Sequence, residues 1–102
     1  MKAQIKQLET KIDLAVKDRR LKQQDVRNLI DEYFNILINL LNEINGYEEN
    51  SGMHNYEKCP LNFDDRIHYI EGRKYHYMGY EQLKTMMKEV LKLKAIYDLK
   101  NK

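Results

Sequence analysis

The side chains best suited to chemistry are few and scattered. Cys59 follows His54 by five positions, His68 and His76 lie further on, and Asp64 and Asp65 are adjacent. A thiol nucleophile needs a partner base, and no recognised Cys-His pattern has this local spacing. A zinc site takes about four ligands, usually with a C-x-x-C or H-x-x-x-H arrangement. Neither arrangement is present. The Asp64–Asp65 pair has the chemistry to hold Mg²⁺, but neighbouring carboxylates at the start of an element more often cap it or face water. Gly46, Gly52, Gly72 and Gly79 stand singly, so no glycine-rich loop is available to cradle phosphate. The expectation is a non-catalytic chain with no metal site and no cofactor.

Binding chemistry is better represented. The stretch "RIHYIEGRKYHYMGY", Arg66 to Tyr80, interleaves Tyr69, Tyr75, Tyr77 and Tyr80 with cations and two histidines. Proteins that hold single-stranded nucleic acid combine cations that follow the backbone with aromatic faces, each stacked base contributing about 1–3 kcal/mol. In an extended conformation Arg73, Tyr75 and Tyr77 share one face, while Lys74, His76 and Met78 share the other. Further on, Lys84, Lys88 and Lys92 recur every fourth residue and align on one helical face. The candidate nucleic-acid contacts are therefore Arg66, Arg73, Lys74, Tyr75, His76, Tyr77, Tyr80, Lys84, Lys88 and Lys92. The alternative is a structural one: the tyrosines cover a Leu/Ile core with their hydroxyls in water, and the lysines form a solvated face.

These residues need elements to position them, and the fold class expected is mainly α. Ile5, Leu8, Ile12 and Ala15 recur at spacings of three and four, predicting an amphipathic helix that weakens near "KDRRLKQQD". Val26, Ile30, Tyr33, Leu37, Leu40 and Ile44, flanked by further apolar residues, predict a second helix buried over most of its girth and ended by Asn45-Gly46. Residues 46–65 show no period and read as a long irregular loop, the least rigid part of the chain. A short β-hairpin is expected around Glu71-Gly72, followed by an amphipathic helix carrying Leu83, Met86, Val90, Leu93 and Tyr97. At 102 residues the chain is read as one small domain, 1–102, with a helical half (1–45), the loop (46–65) and a basic, tyrosine-rich hairpin and helix (66–102). So wide an apolar stripe on a small domain predicts company, either a homodimer or a partner protein meeting Tyr33, Phe34, Leu37 and Leu41.

Charge is uneven along the chain although the total is only +2. Residues 1–30 carry eight Lys/Arg against four Asp/Glu, residues 31–65 one against eight, and residues 66–102 nine against four. Segments of +4, −7 and +5 fit a polyanion at one surface and a basic protein at another. A single cysteine excludes an internal disulfide. The first residues lack a leader pattern and no run is apolar enough to span a bilayer, so a cytoplasmic protein without membrane contact is expected.

The segment "NYEKCPLNFDDRIHYIEGRKYHYMGYEQLKTMMKEV", following a helical N-terminal half, resembles the small middle protein of the replication operon of staphylococcal cassette chromosome elements. That resemblance implies a protein that binds an A-family DNA polymerase and lets it start DNA primers without an existing 3′ end. It carries over no individual functional residue. The reading is an accessory protein of a mobile element that docks on a larger nucleic-acid enzyme and engages single-stranded DNA. The competing readings are a small phage- or island-encoded inhibitor using its acidic middle segment, and a helical homo-oligomeric scaffold. Arg73 and Lys84 would serve the first; Glu48, Glu49, Asp64 and Asp65 would serve the inhibitor.

Overall fold

Apolar spacing dictates the helices. In the computed structural model, which describes residues 2–101, α1 spans Lys2–Lys17, α2 Gln24–Asn45, α3 Phe63–Gly72 and α4 Tyr77–Lys100. The predicted stripe of α1 is buried as a set: Ile5, Leu8, Ile12 and Ala15. On α2 ten residues are buried, and Gly46 ends the helix in the left-handed conformation (φ 81°), where its N–H and that of Tyr47 reach back to the carbonyls of Glu43 and Asn42.

Asp31 receives the Tyr75 hydroxyl and Glu43 the Lys94 ammonium, so α4 runs alongside α2 in the same direction. With α1 and α3 antiparallel to the helices that follow them, the result is an up-and-down four-helix arrangement around one core. Both short connections, 18–23 and 73–76, lie at one end. The 46–62 loop lies at the other.

The expected hairpin is not present; no strand occurs among the described residues. Residues 63–72 form α3 instead, because Phe63, Ile67 and Ile70 fall at spacings of four and three and are buried together. An alternating pattern would have separated Ile67 from Ile70. The helix also satisfies its backbone locally, which an isolated two-stranded hairpin does poorly. Asp64 and Asp65 sit in its first turn, where carboxylates favour the positive end of the helix. Glu71-Gly72 is thus the end of a helix rather than a hairpin turn.

The loop is tied down rather than free. Three asparagines on one face of α2 grip it in succession: Asn39 exchanges hydrogen bonds with Asn50 (2.9 and 3.1 Å), Asn42 donates to the Gly52 carbonyl (3.0 Å), and Asn45 exchanges bonds with the Lys58 backbone (both 2.8 Å). Asn42 is the single buried polar residue among the described residues and also accepts the Tyr56 hydroxyl at 2.6 Å. Tyr47 stacks on His54 at 3.9 Å, with Tyr56 edge-on to both and to Phe63. Asn39 and Asn42 interrupt the apolar run of α2, and with Asn45 they are the loop's anchors.

The four residues expected to meet a partner point inward. Tyr33, Leu37 and Leu41 are fully buried and Phe34 nearly so, since α1 and α4 cover the wide apolar girth of α2 from two sides. The reason for expecting a second copy on α2 is therefore met within the chain. Among the described residues no helix is long and apolar enough to cross a membrane.

Candidate nucleic-acid interface

The end holding both short connections brings distant cations together. α1 stops at a Schellman turn in which Arg19 takes the left-handed conformation (φ 57°), its N–H bonded to the Val16 carbonyl (3.1 Å) and that of Arg20 to the Ala15 carbonyl (2.8 Å). This turn sends "KDRRLK", four cations and one aspartate, round the end of the bundle. The second connection, Arg73 to His76, closes with the His76 N–H on the Arg73 carbonyl (3.0 Å). It folds tightly over the start of α4, where a Cβ on Gly79 would stand 1.8 Å from the Arg73 oxygen. Only glycine permits that approach. Between the two connections lies an open cavity of about 360 Å³ lined by Val16, Arg19, Leu21, Lys22, Tyr75, His76 and Tyr77. It has apolar walls, an aromatic ring and cations at the mouth.

The 73–76 connection is held by Asp31 of α2. Lys74 pairs with it at 2.8 Å and the Tyr75 hydroxyl donates to it at 2.7 Å, while the Arg27 guanidinium lies over the Tyr75 ring at 4.8 Å and Lys74 over the Phe34 ring at 4.5 Å. Burial alone would raise the Asp31 carboxyl, but the hydrogen bonds from Lys74 and Tyr75 and the charges of Lys74 and Arg27 outweigh it and hold the group below its ordinary 3.8. A carboxyl held lower in the folded chain contributes stability above its unfolded pKa and loses it as pH falls through the folded value. Acidification below about pH 4 should therefore loosen this connection before the core. The measurement is the Tyr75 ring signal by NMR across an acid titration; Asp31→Asn should remove the step.

Half of the residues predicted to meet nucleic acid are occupied inside the protein. Arg66 makes a two-pronged pair with Glu89 and also donates to the Leu61 carbonyl. Lys74 and Tyr75 are held by Asp31 as described. Tyr80 is fully buried, donates to Asp13 at 2.8 Å and meets Tyr33 edge-on, and Tyr33 in turn donates to Glu9 at 2.5 Å. Burial and these carboxylates push both phenols up. Lys84 bridges Asp13 (3.1 Å) and Glu81 (3.3 Å), so the lysine row is broken at its first member. Lys88 and Lys92 remain exposed and unpaired among the described residues, but further along α4 than the cavity.

Arg73, His76 and Tyr77 are the predicted residues that the fold brings to the basic end and leaves exposed. Arg73 lies over the Tyr69 ring at 4.5 Å, and Tyr77 keeps 52% of its surface accessible. Sequence reasoning misses Arg19 and Lys22, which lie in "KDRRLKQQD", where the pattern shows only a weakening of the first helix. Their signal was the charge run itself, beside an excess of cations in residues 1–30.

The side chains weighed for catalysis and metal binding form no site among the described residues. Burial and the nearby Asp64 carboxylate raise the Cys59 thiol, the opposite of what a thiolate nucleophile needs. His54 is engaged by Tyr47 and by Ser51 at 2.9 Å. Among the described residues no three His, Cys, Asp or Glu side chains converge as metal ligands.

Comparison with known proteins gives a family and nothing finer. The chain matches the YpoC-like protein family over residues 1–102, its full length, and it belongs to that family. No curated protein and no solved structure matches it. Nothing in these comparisons links it to the replication operon of staphylococcal cassette chromosomes.

Proposed function

We propose that this YpoC-like chain is a non-catalytic accessory protein that holds single-stranded DNA at its basic end for a larger nucleic-acid enzyme. The supporting observation is the convergence of Arg19 and Lys22 with His76 and Tyr77 around one cavity, beside the exposed Arg73. Cations at its mouth meet phosphates, and the accessible Tyr77 ring offers a face for a base. Tyr75 does not stack: Arg27 covers its ring and Asp31 holds its hydroxyl. Three or four phosphate contacts give weak binding alone, which suits a subunit that positions template for a partner such as a DNA polymerase. The contribution to catalysis is orientation, with no group chemistry from this chain.

The test is fluorescence anisotropy of a labelled oligo-dT against salt. The slope of log K against log salt should be about −0.7 per phosphate neutralised, and Lys22→Ala or Arg73→Ala should each flatten it by about that amount. Tyr77→Ala should weaken binding and leave the slope unchanged, since stacking releases no counterions. Lys84→Ala should leave both unchanged, because Asp13 and Glu81 already neutralise that ammonium. Binding that survives the first three changes would sink the proposal and give the lead to an inhibitor acting through its acidic loop.

A further inference from the structure

The other end of the molecule carries an apolar surface that the fold covers only in part. Leu83, Met86, Met87 and Val90 of α4 are fully buried, and the same stripe continues as Leu93, Ile96 and Tyr97. The bundle ends first. Lys94 is the point where α4 meets Glu43, two residues before α2 finishes, and α4 runs on to Lys100, about 9 Å further at 1.5 Å per residue. On this overhang Ile96 is 50% exposed and Leu99, one turn on, 70%. A helix ending in water has no use for these residues. Leu93, Ile96 and Tyr97 form one wall of an open groove of about 240 Å³, with Ile44 and Lys58 on the other and Lys100 at its end.

The charge around the groove selects its occupant. Glu43 and Asp98, the carboxylates nearest to it on α2 and α4, share the single ammonium of Lys94 (2.6 and 2.5 Å), which offsets one of their two charges. Lys58 and Lys100 have no ion-pair partner among the described residues, so these five groups leave the rim with a small net positive charge and with lysines as its unpaired members. A second copy of the chain would set this patch against itself, lysine facing lysine, which an isologous contact disfavours. From the apolar overhang and its cationic rim we infer that the end of α4 docks an acidic amphipathic helix of a partner protein. Apolar side chains of the partner at helical spacing fill the space between Ile96 and Ile44, and its carboxylates meet Lys58 and Lys100. The surface is independent of the basic end, so failure of one reading leaves the other standing.

The experiment uses two fluorescein-labelled synthetic peptides of about 16 residues with leucines at i, i+3, i+4 and i+7, one bearing glutamates on its polar face and the other lysines. Anisotropy with the full chain should show the glutamate peptide binding at least ten times more tightly. Ile96→Asp with Leu99→Asp should reduce that binding at least tenfold, and Lys58→Glu with Lys100→Glu should reverse the preference. Both pairs are exposed, and an unchanged thermal melt and unchanged oligo-dT binding will show the rest of the molecule intact. Equal binding of the two peptides, no binding of either, or binding indifferent to Ile96 and Leu99 overturns the inference. So does self-association abolished by the Ile96 and Leu99 changes, which assigns the overhang to a second copy. Capture by anionic phospholipid vesicles without peptide binding overturns it as well, assigning the overhang to a lipid surface.

Discussion

Truncating Leu37 to Ala is expected to destabilise the fold by about 2–5 kcal/mol, the range for emptying a packed aliphatic site. Leu37 is fully buried at the middle of α2, in the core cluster shared by all four helices. Such a loss is a large fraction of the roughly 5–15 kcal/mol by which domains are stable, so the variant should melt many degrees lower or fail to accumulate. Leu14→Ala provides the contrast, because that side chain is 55% exposed on α1 and its removal should change stability by less than about 0.5 kcal/mol. Chemical denaturation read by circular dichroism measures both. An unchanged Leu37→Ala midpoint would mean that α2 is not enclosed by α1 and α4, and would return that stripe to the role of a partner surface.

The helices were legible to the degree that their stripes were. α1 and α2 follow directly from apolar residues three and four apart, and the body of α4 does too, although it begins at Tyr77, inside the stretch that reads as extended. α3 was hidden by its brevity. Its ten residues bury only Phe63, Ile67 and Ile70, and the first of these stands where the sequence shows a periodless loop, so the remaining two isoleucines among tyrosines resemble a strand. The candidate site was legible only in its local part. Arg73, His76 and Tyr77 are near neighbours in sequence, whereas Arg19 and Lys22 join them because two turns meet, and Lys84 is lost to an aspartate 71 residues away. Charge at a given position is written in the sequence, but neutralisation is a tertiary fact.

Arg19 supplies a test in which stability and binding move in opposite directions. Its backbone occupies the left-handed region at φ 57°, in the same kind of turn that Gly46 completes at the end of α2 with φ 81°. A residue with a Cβ pays about 1–2 kcal/mol there, and glycine does not. Arg19→Gly should therefore stabilise the chain by about 1 kcal/mol, less whatever the added freedom of the unfolded chain costs, and raise the melting temperature by a few degrees. A turn kept for structure alone would be improved by that exchange. If Arg19 instead serves the DNA, the same variant should bind oligo-dT more weakly, with a salt slope flatter by about 0.7. Arg19→Lys separates charge from shape: it keeps both the cation and the strained backbone, so its melting temperature and slope should stay near those of the unmodified chain. A glycine variant that is more stable and binds DNA equally well would make Arg19 a helix terminus and nothing more, leaving Lys22, Arg73 and Tyr77 to carry the interface.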